Sequence, residues 1–137
     1  MTAHEQITMT ALVGIPLVRP DDDLADIILA ALRQSDILLR LGDVLVIAQK
    51  IISKVEDRYV DLREINPSRR ARSLAAEVEK DARLVEVILS ESSEVVRYRP
   101  GVLIVAHRLG YVLANAGVDS SNVDQDLGSE RVLLLPR

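Results

Sequence analysis

The stretch DARLVEVILSESSEVVRYRPGVLIVAHRLGYVLAN, from Asp81 to Asn115, decides the fold class. Asp81 suits the cap of a helix that carries Leu84, Val85, Ile88 and Leu89 on one face. The pattern then changes. Val95 to Tyr98, Leu103 to His107 and Tyr111 to Asn115 are short apolar runs that read as strands, with Leu109-Gly110 as the hairpin turn between the last two.

Upstream, the acidic trio Asp21-Asp22-Asp23 after Pro20 announces a helix, because Asp caps free backbone N–H groups and suits the positive helix start. Leu24, Ile27, Ile28, Ala31 and Leu32 then recur with helical spacing. Asn66-Pro67 marks a further helix start, with Asn as cap and Pro at the first helical position, and Arg69, Arg70 and Arg72 as a solvated face. Ile7 to Val13 reads as a first strand stopped by Gly14-Ile15-Pro16. Val44-Leu45-Val46-Ile47-Ala48 suits a strand buried on both faces. Tyr59 to Leu62 and Val132 to Leu135 complete the strands. The order is neither a regular βαβ series nor all helix. The expectation is α+β, a mixed sheet with about three helices in a single domain, 1–137.

Composition sets the limits. The 137 residues suit one domain, and 48% hydrophobic with 28% charged residues describes a globular chain. The absence of Cys excludes disulfides, zinc–thiolate sites, iron–sulfur clusters and a thiol nucleophile from these residues. A net charge of −4 without a basic block argues against duplex nucleic acid, and the lack of Trp and Phe argues against stacking on single strands. His4 and His107 lie too far apart in sequence to read as a metal pair. Met1 to Thr10 lacks the basic start and apolar run of a targeting segment, and no apolar run approaches the ~20 residues of a membrane span, so a cytoplasmic protein without a membrane partner is the default.

Few residues stand out chemically. Gly14-Ile15-Pro16-Leu17 reads either as a backbone-lined edge for a nucleotide or as a turn, and turn statistics favour the second. Neither GxxxxGK[ST] nor GxGxxG occurs. Lys50 and Lys54 offer point positive charges for a phosphate, with Ser53 as a neighbouring hydroxyl, or are surface lysines. In Gly117-Val118-Asp119-Ser120-Ser121-Asn122, Asp119 offers the hard oxygen that Mg²⁺ or Mn²⁺ prefers, and Asn122 a hydrogen-bonding amide. An Asx turn explains the same pair. One carboxylate does not make a metal cage. His107 reads as a partly exposed strand residue, and Arg108 and Asn115 flank the hairpin.

Taken together, Gly14-Ile15-Pro16-Leu17, GDVLVIAQKIISKVEDR from Gly42 to Arg58 and NAGVDSSNV from Asn115 to Val123 shift this balance. With INPSRRA from Ile65 to Ala71 and the closing VLLLP, they resemble the amino-terminal half of the deazaflavin coenzyme γ-glutamyl ligases (coenzyme F-420-0:L-glutamate ligase). The resemblance implies an α+β fold of that family's own and an enzyme that joins L-glutamate to a deazaflavin precursor through an amide bond. It implies GTP as co-substrate and a divalent metal, Mg²⁺ or Mn²⁺, with an acyl phosphate as the activated acid. It further implies intertwined dimers, so the expected partner is a second copy or a complementing carboxy-terminal half.

Carried onto this chain, Ile15, Pro16, Leu17 and Val18 would border GTP, largely through backbone. Gln49 and Lys50 would be the next nucleotide-contacting pair, where relatives often have small hydroxyl residues. Lys54 would approach the phosphates, Asp119 would ligate metal and Asn122 would contact GTP. Two departures stand out. Asp57 replaces the Gly usual in relatives, and the sequence stops at Arg137, whereas the family continues with a TDT-type metal-binding stretch and a glycine-rich nucleotide segment. The resemblance therefore implies one metal ligand of several, and a chain inactive by itself. The rival expectations are a non-catalytic binding or assembly module that keeps the fold, and a related amide ligase with another acid substrate.

Overall fold

The computed structural model describes residues 6–121 and 130–137. Among these residues, four α-helices precede or interleave two small antiparallel sheets: α1 Leu24–Gln34, α2 Gln49–Val55, β1 Tyr59–Asp61, α3 Arg69–Val78, α4 Ala82–Ser90, β2 Ser92–Arg99, β3 Val102–His107, β4 Val112–Ala114 and β5 Arg131–Leu133. Strands β2-β3-β4 form one sheet, in that order, and β1 pairs with β5 in the other. The α+β expectation holds. No helix among the described residues is long and apolar enough to cross a membrane.

The Asp81–Asn115 stretch forms as its pattern predicts. Asp81 caps α4 by accepting from the backbone N–H of Arg83. Val85 and Ile88 turn inward onto Leu103 and Val105 of β3 and onto Ala71, Leu74, Ala75 and Val78 of α3, giving a core built from aliphatic side chains alone. A second cluster, Leu62, Val87, Val132 and Leu134, seats the β1–β5 sheet on the other side of α4. The helix is therefore gripped on two faces. Asp23 caps α1 through the N–H of Asp26, and Ala31 and Leu32 are its buried pair.

Several expectations are corrected. Helix α3 begins two residues later than Asn66-Pro67 suggests. Ser68 is the cap, its hydroxyl accepting from Ala71 N–H, and Asn66 instead accepts from the Arg72 guanidinium. Helix α2 adds a fourth helix in the run after Ala48. Ile7 to Val13 and Val44 to Ala48 form no strand. Both stand open to solvent, Ile7 at 91% and Val46 at 86% exposure. A strand exists only where another supplies its ladder, and neither run finds one among the described residues. His107 is buried, not partly exposed. Asp57 adopts the left-handed backbone, φ 47°, so the turn that glycine suits is kept, with Asp bearing the steric cost.

One charged network crosses the interior. Arg58, at the mouth of β1, donates from Nη2 to Glu91 Oε2 at 2.9 Å and from Nε to the Leu135 carbonyl at 2.9 Å. Glu91 ends α4, and its Oε1 meets Arg108 Nη2 at 3.0 Å. His107 Nδ1 accepts from the Leu109 N–H at 3.0 Å, which leaves the ring proton on Nε2, 3.6 Å from Glu91 Oε2. The Arg58 and Glu91 side chains are 9% and 7% exposed. Removing one member leaves the other as a buried, uncompensated charge. Glu91→Ala is therefore expected to cost about 3–5 kcal/mol in urea denaturation. A loss below about 1 kcal/mol, the level of a surface pair, would mean that the network does not hold these elements together.

Candidate functional site

Helix α2 and the segment after β4 converge on Lys50 and Asp119. Ala48 offers no side-chain cap to α2, and Gln49 turns along the helix to donate from Nε2 to the Ser53 hydroxyl at 2.8 Å. Lys50 leaves the first turn and reaches Asp119 Oδ2 at 2.6 Å. Its ammonium also donates to the Ser121 carbonyl at 3.0 Å and lies 3.4 Å from the Ser121 hydroxyl.

Backbone fixes the carboxylate opposite. Asp119 exchanges hydrogen bonds with Leu133 of β5, N–H to O 2.9 Å one way and 2.8 Å the other. The turn into it, Asn115–Gly117, is left-handed at three successive residues, with φ 52°, 54° and 69°. A Cβ at Gly117 would meet Leu135 Cδ2 at 2.7 Å, so any side chain there must push Leu135 aside and bear the positive φ. The Asp119 Oδ1 accepts from both the N–H and the hydroxyl of Ser121, each at 2.7 Å. At Asp119 the Asx turn weighed from the sequence thus forms, and the same carboxylate also binds Lys50.

Lys50 beside it, helped by Ser121, lowers the Asp119 carboxyl to about 2 against the opposing effect of partial burial. Lys50 and Asp119 stay about a third open to solvent, 32% and 35%, so the pair is reachable by a ligand. Lys54, one turn along, is buried at 8% exposure, and its ammonium makes no hydrogen bond or ion pair with the described residues. Beside Gln49 opens a cleft of about 480 Å³ walled by Tyr111, Leu113, Leu135 and Pro136.

The other sequence candidates fare unevenly. Val18 is buried, whereas Ile15 and Leu17 are exposed. Their segment is tied to α2 by Asp21 N–H donating to the Val55 carbonyl at 3.2 Å, but no hydrogen bond joins Ile15, Pro16, Leu17 or Val18 to Lys50, Lys54 or Asp119. Asn122 lies outside the described residues. Asn115 is drawn inward, and its buried Oδ1 has no hydrogen-bond partner among the described residues. Arg108 serves Glu91. No group of three acidic or imidazole side chains able to hold a metal occurs among the described residues. Asp119 and the Ser121 hydroxyl are the hard oxygens present, a donor set of the right kind for Mg²⁺ or Mn²⁺ and short of a full shell. Sequence reasoning missed Ser121 as the second partner of Lys50; its place two residues after an Asx-turn Asp was the available signal.

The sign of the Asp119 shift fixes a pH response. The pair is complete above the ordinary carboxyl range, near 3.8, and is lost as the pH falls through about 2. Following the Asp119 side-chain carbon by NMR should give a midpoint near 2. Lys50→Met should move that midpoint up toward the ordinary value. An unmoved midpoint would mean that Lys50 does not hold the carboxylate in solution.

Residues 13–137 match the sequence profile of the family described as F420-0:Gamma-glutamyl ligase. The chain is similar to the "Coenzyme F420:L-glutamate ligase" of Methanothermobacter thermautotrophicus, 43% identical over 123 residues, covering 90% of this chain and 49% of the relative. The protein of the same name from Archaeoglobus fulgidus is 45% identical over 123 residues, 90% of this chain and 45% of the relative. That from Methanopyrus kandleri is 48% identical over 105 residues, 77% and 40%. The chain thus spans about half the length of the curated relatives it matches. An α+β frame, a match over nearly all of its residues and identities above 40% with these three proteins lead to one conclusion: the chain belongs to the F420-0:Gamma-glutamyl ligase family.

Proposed function

We propose that this chain supplies one part of an active site that joins L-glutamate, through its amine, to a carboxylate of a deazaflavin coenzyme precursor, with GTP as the energy source. The observation that carries the reading is the meeting of Lys50, Asp119 and Ser121 at an exposed corner of a chain of this family.

A carboxylate does not react directly with an amine, because its oxygen is a poor leaving group. Transfer of the γ-phosphoryl group of GTP to that oxygen gives an acyl phosphate and GDP. The glutamate amine then attacks the carbonyl carbon, inorganic phosphate leaves with the C–O electron pair, and the nitrogen loses its proton. The first step gathers negative charge, so fixed cations have the most to contribute. Lys50 is a compact positive charge held in place by Asp119 and Ser121. Lys54 follows it by one helical turn, so both ammonium groups leave neighbouring turns of α2. Ile15, Pro16, Leu17, Val18, Gln49 and Asn122 would border the nucleotide. A divalent Mg²⁺ or Mn²⁺ held in part by Asp119 would neutralise charge on the transferred group.

The second reading, an assembly module, draws on a different observation. Val44, Leu45, Val46 and Ile47 are all exposed in one run, and chains that work alone rarely leave so much apolar surface in water. The two readings agree if the site is completed by a second copy of the chain or by a complementing half, and they differ in whether nucleotide binds.

Calorimetric titration with GTP, with and without Mn²⁺, separates them. Metal-enhanced binding is expected, weakened about 10-fold or more by Lys50→Met and by Asp119→Asn, with the circular dichroism of each variant unchanged. Lys54→Ala should act in the same direction. Binding to all variants as to the wild type would overturn the residue assignments. No GTP binding, even after a complementing half is supplied, would leave assembly as the function.

A further inference from the structure

Away from Lys50 and Asp119, an open cleft of about 510 Å³ lies between α3 and β2. Arg69, Arg70, Ser73 and Glu77 come from one side of α3, and Val95 and Tyr98 face them from β2. The register places Val95 opposite Val105 and Tyr98 opposite Leu103, so both belong to the helix-covered face of the sheet. Leu74 and Val95 make the floor apolar.

The charges in this cleft are unevenly matched. Glu77 is the one carboxylate among the described residues that line it, and its charge beside the Tyr98 hydroxyl raises the tyrosine above its ordinary pKa. Arg69 and Arg70 are exposed, and their guanidinium groups form no hydrogen bond or ion pair with the described residues. The chain does not lack acids, having 21 Asp and Glu against 17 Lys and Arg. Neighbouring arginines do take carboxylates, Arg63 on Asp61 and Arg83 on Asp81 and Glu130. Arg19, Arg33, Arg40, Arg97, Arg99 and Arg131 likewise lack a side-chain partner among the described residues, so what sets Arg69 and Arg70 apart is their shared place in this cleft. At Arg69 and Arg70 two forked donors share a concave site with a hydroxyl and an apolar floor. Guanidinium forks match the planar, two-oxygen edge of phosphate and carboxylate.

We propose that this cleft binds a small organic oxyanion, its phosphate or carboxylate group held by Arg69, Arg70 and the Ser73 hydroxyl and its carbon skeleton resting on Leu74 and Val95. The site is separate from the Lys50–Asp119 cluster, and the proposal stands independently of the ligase reading.

The test is an amide-resolved NMR titration of the whole chain with inorganic pyrophosphate and, separately, with citrate, at constant ionic strength. Saturable shifts centred on residues 69–77 and 95–98 are expected with at least one probe, and the tighter probe assigns the head group. Arg69→Ala combined with Arg70→Ala should weaken binding about 10-fold or more, while Arg33→Ala leaves it unchanged. Glu77→Gln, which removes the like charge from the cleft, should tighten it about 3-fold, while Glu79→Gln, just past the end of the same helix, should not. No saturable shift from either probe at about 10 mM would overturn the proposal. So would equal binding by the double variant, or equal effects of the two glutamate substitutions, which mark general screening instead of a site.

Discussion

The buried Arg58–Glu91 pair is the constraint on which the described architecture turns. Arg58 also accepts at its carbonyl from the Leu134 N–H, and Glu91 at its own from the Arg108 N–H. Through these two residues the end of α2, the start of β1, the end of α4, the β3–β4 turn and the segment after β5 meet at one point. Hydrophobic burial supplies the larger driving force, but aliphatic side chains pack in many ways. A buried carboxylate that needs two guanidinium partners is satisfied in one arrangement, because any other leaves charge without compensation. The two apolar clusters on either side of α4 give the chain its cohesion. The ion pair gives it register, and that register carries β5 to the place where Leu133 receives Asp119.

The parts of the fold that local chemistry determines were legible in the sequence. The Asp caps of α1 and α4, the apolar faces behind them and the β2–β4 hairpins follow from short-range patterns that the structure satisfies locally. The failures share a cause. Val44–Ala48 has the composition of a buried strand, but composition describes a surface that seeks burial and cannot supply the neighbour. Ile7–Val13 fails in the same way. The Asn66-Pro67 start was displaced because Ser68 offers an equally good cap, and Asn66 is engaged by Arg72. Arg58, Glu91 and His107 are distant in sequence and ordinary in context, so no spacing announces their meeting.

The candidate site was legible in its pieces and illegible in its joining. Lys50 and Asp119 each stood out weakly, one as a lone cation and the other as a lone carboxylate. The structure makes them a pair, with Ser121 as third member. This changes the physical task of the lysine. A free ammonium on a flexible stem loses conformational freedom when it grips a ligand, whereas one already held by a carboxylate has lost it beforehand. Arriving anionic oxygens must then compete with Asp119 for the same protons, which favours a ligand bearing several charges over one bearing a single charge.

The left-handed run at Asn115, Ala116 and Gly117 bears on how variation in this family is to be interpreted. Ala116 is wholly buried at a positive φ, and Gly117 abuts Leu135. A larger residue at either position meets steric cost from its own backbone and from its neighbours, whether or not anything binds nearby. Invariance of these two residues among relatives would therefore record the shape of a turn and say nothing about substrate. Asp119 and Ser121, whose side chains face partly into solvent, are free of that restriction. Selection at those two positions reports on the Asx turn and the Lys50 pair, and so lies nearer to the chemistry than the more eye-catching small residues that precede them.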